Sequence, residues 1–199
     1  QEIFSVDEKI EFFDISDVNQ SASAFNPEKL LWLNQQHIIA APPELIGEVL
    51  VPYLEKMGLN PENGPAPSDV AEGFRERAET LLAMAEVSRY CYEDFDEFDA
   101  KAAKKNLRPV VLDPMRAARD EFAQLTRWTK DAIAKVIEEV AGRHDLNMGK
   151  LGQPIRVAVT GGPVSPPIDT TVWLVGRERT LRRMDLAIEF IERRAAEAR

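Results

Sequence analysis

Gly152-Gln153-Pro154-Ile155-Arg156-Val157-Ala158-Val159-Thr160-Gly161, followed by Ser165-Pro166, then Gly176-Arg177-Glu178-Arg179 and a long amphipathic run, is the stretch whose reading decides the fold. Ile155 to Val159 alternates like a strand, and its branched residues favour extended backbone. A lone strand needs a partner, and no second segment of the chain offers one. We therefore read a short helix there, capped at Gly161. Downstream, Leu181, Met184, Ile188 and Ile191 recur at helical spacing, which predicts a last helix from about Thr180 to Ala198.

The same punctuation recurs towards the N-terminus. Asn26-Pro27-Glu28 supplies an N-cap, a proline at the first helical position and an acid in the first turn. Leu30, Leu31, Trp32, Leu33, Ile38 and Ile39 follow, and Pro42-Pro43 closes that helix and opens the next. There Ile46, Val49, Leu50, Tyr53, Leu54 and Met57 keep a helical period up to Gly58, with Pro52 expected to kink or split the run. After a Pro/Asn/Gly loop over 60–67, Ser68 or Asp69 is expected to cap a helix with Val70, Phe74, Ala78, Leu81, Leu82 and Ala85 on one stripe. Asp113-Pro114 opens another with Met115, Ala118, Phe122 and Leu125. Thr129 caps the one after it, which carries Ile133, Val136, Ile137 and Val140 and is expected to stop at Gly142. The whole reads as all-α, with softer joints near 60–67 and 108–114.

Composition bounds the rest. The 199 residues, 44% hydrophobic and 30% charged, suffice for one or two packed domains. Cys91 is the only cysteine, so an intrachain disulfide is impossible, and its place between Tyr90 and Tyr92 reads as a buried thiol. No apolar run approaches the roughly 20 residues that span a bilayer, so no membrane partner is expected. The first residue is Gln1 rather than Met, and the chain reads as a fragment.

The net charge of −9 argues mildly against nucleic acid, but its distribution matters more than its sum. Acid gathers at Glu2, Asp7, Glu8, Glu11, Asp14 and Asp17, and again at Glu93, Asp94, Asp96, Glu97 and Asp99. Between 101 and 119 the balance inverts: Lys101, Lys104, Lys105, Arg108, Arg116 and Arg119 stand against Asp113. Arg177, Arg179, Arg182, Arg183, Arg193 and Arg194 add cations near the C-terminus. These are either solvated helix faces or a positive strip able to dock one polyanion.

Catalytic signatures are missing. Activation of a carboxylic acid with ATP on a nucleotide-binding fold calls for a His-x-Gly-His type element and a Lys-Met-Ser-Lys type loop to hold the phosphates. His37 and His144 stand in neither context, and Lys56-Met57-Gly58 and Met148-Gly149-Lys150 are not that loop. No Gly-rich phosphate cradle is present, and one cysteine with two scattered histidines cannot build a zinc site.

The opening stretch, with its Thr-Gly stop, Ser-Pro turn and Gly-Arg-Glu-Arg turn, resembles the C-terminal, anticodon-binding end of bacterial glutamyl-tRNA synthetases. Phe25-Asn26-Pro27-Glu28-Lys29-Leu30-Leu31-Trp32-Leu33-Asn34 is similar to an element that in this family follows the catalytic half. Glu76-Arg77, Thr80-Leu81 and Tyr90-Cys91-Tyr92-Glu93-Asp94-Phe95 are similar to the helix entering its anticodon cage, and Ser165-Pro166 with Asp169, Thr171 and Val172 resembles the proteobacterial form. These matches span nearly the whole chain in the family's order. Gly162-Pro163-Val164 and Pro167 depart from it and stiffen the loop before Ile168.

The resemblance implies a partition: 1–42 the end of the stem-contact fold, 43–108 a first helical anticodon-binding subdomain and 109–199 a second. It implies a cytoplasmic monomer whose partner is tRNA of the glutamate type. It also implies no cofactor in this piece, with ATP and Mg in the catalytic half of the parent, and no activity for the piece alone. Arg77 aligns with the family's arginine that reads the third anticodon base. Arg156, Gly161, Ser165 and Ile168 are expected to line the anticodon-binding loop. Lys104, Lys105, Arg108, Arg116 and Arg119 are expected on the tRNA backbone, contributing affinity rather than sequence information. Tyr90, Tyr92, Trp128 and Trp173 are candidates to stack on bases or to pack in the core. The competing expectation is an all-α protein-interaction scaffold whose basic strip docks an acidic partner.

Overall fold

The computed structural model describes residues 3–18 and 24–197, and all regular structure among them is helical. Glu2 of the acidic start and Ala198 of the last helix lie outside the described residues. The helices run α1 (Val6–Phe12), α2 (Pro27–Ala40), α3 (Pro43–Lys56), α4 (Pro67–Phe74), α5 (Leu81–Ser88), α6 (Ala100–Asn106), α7 (Leu112–Gln124), α8 (Lys130–Arg143), α9 (Met148–Thr160), α10 (Ile168–Val175) and α11 (Arg177–Glu197).

Local chemistry sets most of the starts. Asn26, Thr80, Asp99, Thr129 and Asn147 each accept a hydrogen bond from the backbone N–H three residues on, satisfying a donor that the first turn leaves orphaned. α4 is different. It begins at Pro67 without a side-chain cap, so neither Ser68 nor Asp69 has the capping role expected of it. Proline's fixed φ and missing N–H suit that first position.

Three further expectations change. The ambiguous Ile155–Val159 run is helical and stops at Gly161 as expected, with Gly161 left-handed at φ 77, but the helix reaches back to Met148 through Pro154. Pro52 does not divide α3: it sits on the exposed side of the helix. α8 runs through Gly142 to Arg143, and the chain turns instead at Asp145, at φ 54.

The apolar stripes pack into two cores. Leu50 and Leu54 of α3, Val70 and Phe74 of α4 and Met84 of α5 form the first. Met115, Phe122, Ile137, Ile155, Met184 and Ile191 carry the second, built from α6 to α11. Each such side chain withdrawn from water stabilises by about 1.5–3 kcal/mol. Ala102, Ala103 and Leu107, inside the 43–108 segment, pack in the second core, because the buried face of α6 lies against α9. α10 bridges the two: Leu174 enters the first core and Val172 the second.

α1 and α2 bury little. Val6, Ile10, Phe12, Phe25, Leu30 and Leu31 stay exposed, and Ile38 is the one residue of α2 that is buried. α3 lies close on α4 at Gly47. A Cβ on Gly47 would stand 2.5 Å from the backbone nitrogen of Ser68, and neither backbone can yield cheaply.

The cores are joined by Arg183 of α11, which is 2% exposed. Its guanidinium donates to the carbonyls of Tyr90 (3.0 Å) and Glu93 (2.7 Å) at the end of the first core, and to that of Val159 in α9. It also meets the Asp94 carboxylate at 3.1 Å and lies 4.8 Å over the Phe95 ring. Burial draws its pKa down to about 10, so it is still a cation at neutral pH.

Replacing Gly47 by alanine should destabilise the protein by about 2 kcal/mol through overpacking, read as a lower urea midpoint. Arg183→Met should cost about 3 kcal/mol, because it leaves several buried carbonyls without donors. An unchanged midpoint for Arg183→Met would show that the joint does not depend on this side chain.

Candidate nucleic-acid interface

Between the two cores lies a cleft of about 460 Å³, walled on one side by Phe74, Glu76, Arg77 and Tyr90 and on the other by Thr160, Gly162 and Ser165. The expected single helix over 70–85 is broken here. α4 ends at Phe74, α5 starts at Leu81, and Arg77 stands on the linker between them. The break has a local cause: Thr80 takes extended backbone and caps α5.

Arg77 is exposed, and among the described residues no carboxylate lies within ion-pair distance of it. The neighbouring Arg75, by contrast, is held by Glu72 at 3.0 Å. The linker is also pinned from behind. Asn34 Nδ2 donates to the Glu79 carbonyl at 2.5 Å, and Gln35 Nε2 donates to that of Glu76 at 3.1 Å. These two amides of α2 bracket the linker around Arg77. The sequence places Asn34 in a family-like element but gives no sign of what its side chain holds.

Arg156 comes from the opposite wall. It is half-buried, and its Nη1 donates to the carbonyls of Ser165 (3.0 Å) and Pro166 (2.6 Å) and to the Ser165 hydroxyl. Burial pushes its pKa down, and the nearby Arg77 charge acts in the same direction. Thus the two guanidinium groups lie near enough for one charge to act on the other, Arg77 open to the cleft and Arg156 committed to shaping the loop.

The other loop candidates also work inward. The Ser165 hydroxyl is 2.7 Å from that of Thr171, which donates to the Pro166 carbonyl. Ile168 is only 9% exposed and packs over Gly152, so it is a core residue rather than an open platform for a base. The amides of the bend are not free: Gly161 N–H donates to Val157 and Gly162 N–H to the Thr160 hydroxyl. Gly161 is required twice over, by its left-handed φ and by Phe95, whose ring would lie 3.1 Å from a Cβ there.

The aromatic candidates are mostly absorbed by packing. Tyr92 is buried, Trp128 lies edge-on to Phe122 at 5.8 Å, and Trp173 lies beneath Lys130. Tyr90 edges the cleft, and burial raises its phenol pKa, so it stays neutral. Cys91 is buried, and its thiol is pushed up to about 12.

Of the five backbone-contact candidates, two are already neutralised. Arg119 grips Asp185 of α11 through two bonds, at 2.7 and 2.9 Å, and these hydrogen bonds raise its pKa. Arg116 meets Glu192 at 2.5 Å and Asp113 at 3.5 Å. The reason is geometric: α7 lies against α11, which presents its acids to that face. Most of the C-terminal arginines turn inward as well. Arg179 donates to the carbonyls of Cys91, Asn63 and Tyr92, Arg194 donates to those of Ala103 and Leu107, and Arg182 joins Arg183 on Asp94. Burial acts to raise the Asp94 pKa, but the Arg182 hydrogen bond and the two arginine charges hold it below the usual carboxylate range. Lys104, Lys105 and Arg108 remain exposed.

The chain matches the anticodon binding domain family over residues 45–188. It is similar to glutamate–tRNA ligase 1 of Alkalilimnicola ehrlichii, with 46% identity over 196 residues, covering 98% of this chain and 42% of that protein. A glutamate–tRNA ligase 2 of Coxiella burnetii is 48% identical over 191 residues, covering 96% of this chain and 41% of the relative. The chain therefore spans about two fifths of the length of these relatives. Among solved structures, a glutamate tRNA ligase from Elizabethkingia meningosepticum superposes with a TM-score of 0.86 at 26% identity, over 96% of this chain and 38% of that one. A match of that extent, running through both helical cores and the cleft between them, means that the chain belongs to the anticodon binding domain family.

Proposed function

We propose that this chain recognises the anticodon loop of glutamate tRNA as the C-terminal part of a glutamate–tRNA ligase, the cytoplasmic enzyme that attaches glutamate to tRNA with ATP. In this reading the piece acts as a monomer, and the ligation chemistry is carried by the portion that the relatives have beyond its span. The observation that carries the reading is Arg77: an exposed, uncompensated guanidinium in a cleft between two helical cores.

The chemistry of the bases makes that group a discriminator. Glutamate anticodons end in cytosine, and glutamine anticodons end in guanine. An unpaired cytosine offers O2 and N3 as acceptors, whereas the Watson–Crick edge of guanine presents N–H donors. A guanidinium is donor only, so it matches the two adjacent acceptors of cytosine, whereas at guanine it meets two donors beside the single O6 acceptor. A good base-edge contact of this kind discriminates by roughly 1–3 kcal/mol. Arg156, anchored on Ser165 and Pro166, gives the facing loop one shape, and Asn34 with Gln35 gives the Arg77 linker another fixed edge. Preorganisation of both walls lowers the ordering cost that binding must meet.

Titration with glutamate-type and glutamine-type tRNA at two salt concentrations tests the reading. The chain should prefer the glutamate type, and both affinities should fall as salt rises. Arg77→Gln should reduce the preference by about tenfold or more while leaving the fold intact, as checked by circular dichroism. A preference unchanged in this variant would remove Arg77 from the assignment, and binding to neither tRNA would favour the protein scaffold. Arg116→Ala should leave tRNA affinity nearly unchanged, since its charge is already matched by Glu192 and Asp113; a large loss on filter binding would contradict that pairing in solution.

A further inference from the structure

Once the paired arginines are set aside, three of the cations that remain gather in one place. Lys105 and Arg108 line a groove of about 540 Å³ together with Lys150, from the first turn of α9, and Asn147, Gln153 and Pro154 beside it. Among the described residues, no carboxylate lines this groove, and none of the three cations has an acid within ion-pair distance. The first turn of α9 carries no acid either, whereas those of α7, α8, α10 and α11 each do. In a chain of net charge −9, an acid-free groove with three unpaired cations is a local inversion of the field.

Lys104 is not part of it. Although adjacent in sequence to Lys105, it lines another groove, over Phe98 and Phe190, with Glu97 and Glu189 on the rim. Lys150 falls in Met148-Gly149-Lys150, a tripeptide without meaning as a nucleotide-binding loop.

The groove and the anticodon cleft share one helix. Gln153 lines the groove, and Thr160 lines the cleft, with Arg156 between them. The steps of three and four residues keep all three on one edge of α9. From Gln153 to Thr160 the helix rises about 10 Å at 1.5 Å per residue, roughly three stacked-base steps of 3.4 Å.

We propose that the Lys105–Arg108–Lys150 groove binds the phosphodiester backbone of the RNA strand flanking the anticodon, as a second, sequence-independent contact. This rests on the proposed anticodon reading for the identity of the RNA, but it uses different residues and predicts a different signature. Cations without base-edge reach add affinity and register, not discrimination.

The test is a paired titration of the chain with glutamate-type and glutamine-type tRNA across a salt series. Lys105→Ala/Lys150→Ala should weaken both tRNAs by the same factor. It should also flatten the slope of log affinity against log salt by about 0.7–0.9 for each phosphate that is no longer neutralised. The ratio between the two tRNAs should stay at its parent value. Lys150→Arg should restore the slope, and Lys150→Glu should weaken binding further than alanine does. All three positions are surface side chains, so circular dichroism should be unchanged. A parent-like slope in the double variant overturns the proposal, and so does a loss confined to one tRNA. Arg77→Gln separates the two readings: a preserved base preference there sinks the anticodon assignment, while a flattened slope in the lysine variant would still support the groove.

Discussion

A single buried guanidinium holds the geometry on which the rest depends. Arg183 is nearly inaccessible to water, and its donors are consumed by three carbonyls and one carboxylate. Two of those carbonyls belong to Tyr90, which lines the Arg77 cleft, and to Val159, which adjoins Thr160 of the same cleft. A buried charge is expensive unless every donor is met. That requirement keeps the first core's last turn and the C-terminal end of α9 in one relative position. The cleft is open because its walls are fixed elsewhere.

The same accounting of donors explains how an acidic chain can present a positive site. Arginine is abundant in the C-terminal half, yet Arg116, Arg119, Arg179, Arg182, Arg183 and Arg194 bond to this protein's own acids and carbonyls. Among the cations left unpaired are two separate sets, Arg77 in the cleft and Lys105, Arg108 and Lys150 in the groove. Charge along a chain is a count of groups; charge at a surface is what remains after the helices have packed. The loop opposite Arg77 follows a similar rule. Arg156 bonds to Ser165 and Pro166, Ser165 meets Thr171, and together they give a Pro-rich turn a single shape.

Local reading succeeded where the physics is local. Caps at Asn26 and Thr129, the left-handed stop at Gly161 and the apolar stripes of α7, α8 and α11 follow from residues within a few positions of one another. It was weaker where a short-range signal met a longer-range one. The stripe from Val70 to Ala85 is continuous in period, but Thr80 caps a new helix and divides it. Ile168 and Ser165 occupy the expected loop, yet they are drawn into packing and hydrogen bonds that need Gly152 and Thr171 alongside. Nothing in the order of residues tells whether a side chain near a cleft faces into it.

Residue order alone carries a set of amphipathic helices with capped ends and motifs that resemble an anticodon-binding end. Each of these depends on residue type and short spacing, which the chain carries in one dimension. Packing in three dimensions settles which guanidinium stays uncompensated, that Asn34 and Gln35 bracket the linker bearing Arg77, and that Lys150 joins Lys105 and Arg108. Those are pairings between residues about forty positions or more apart, and their partners are chosen by how helices pack, not by what stands next to them in the chain.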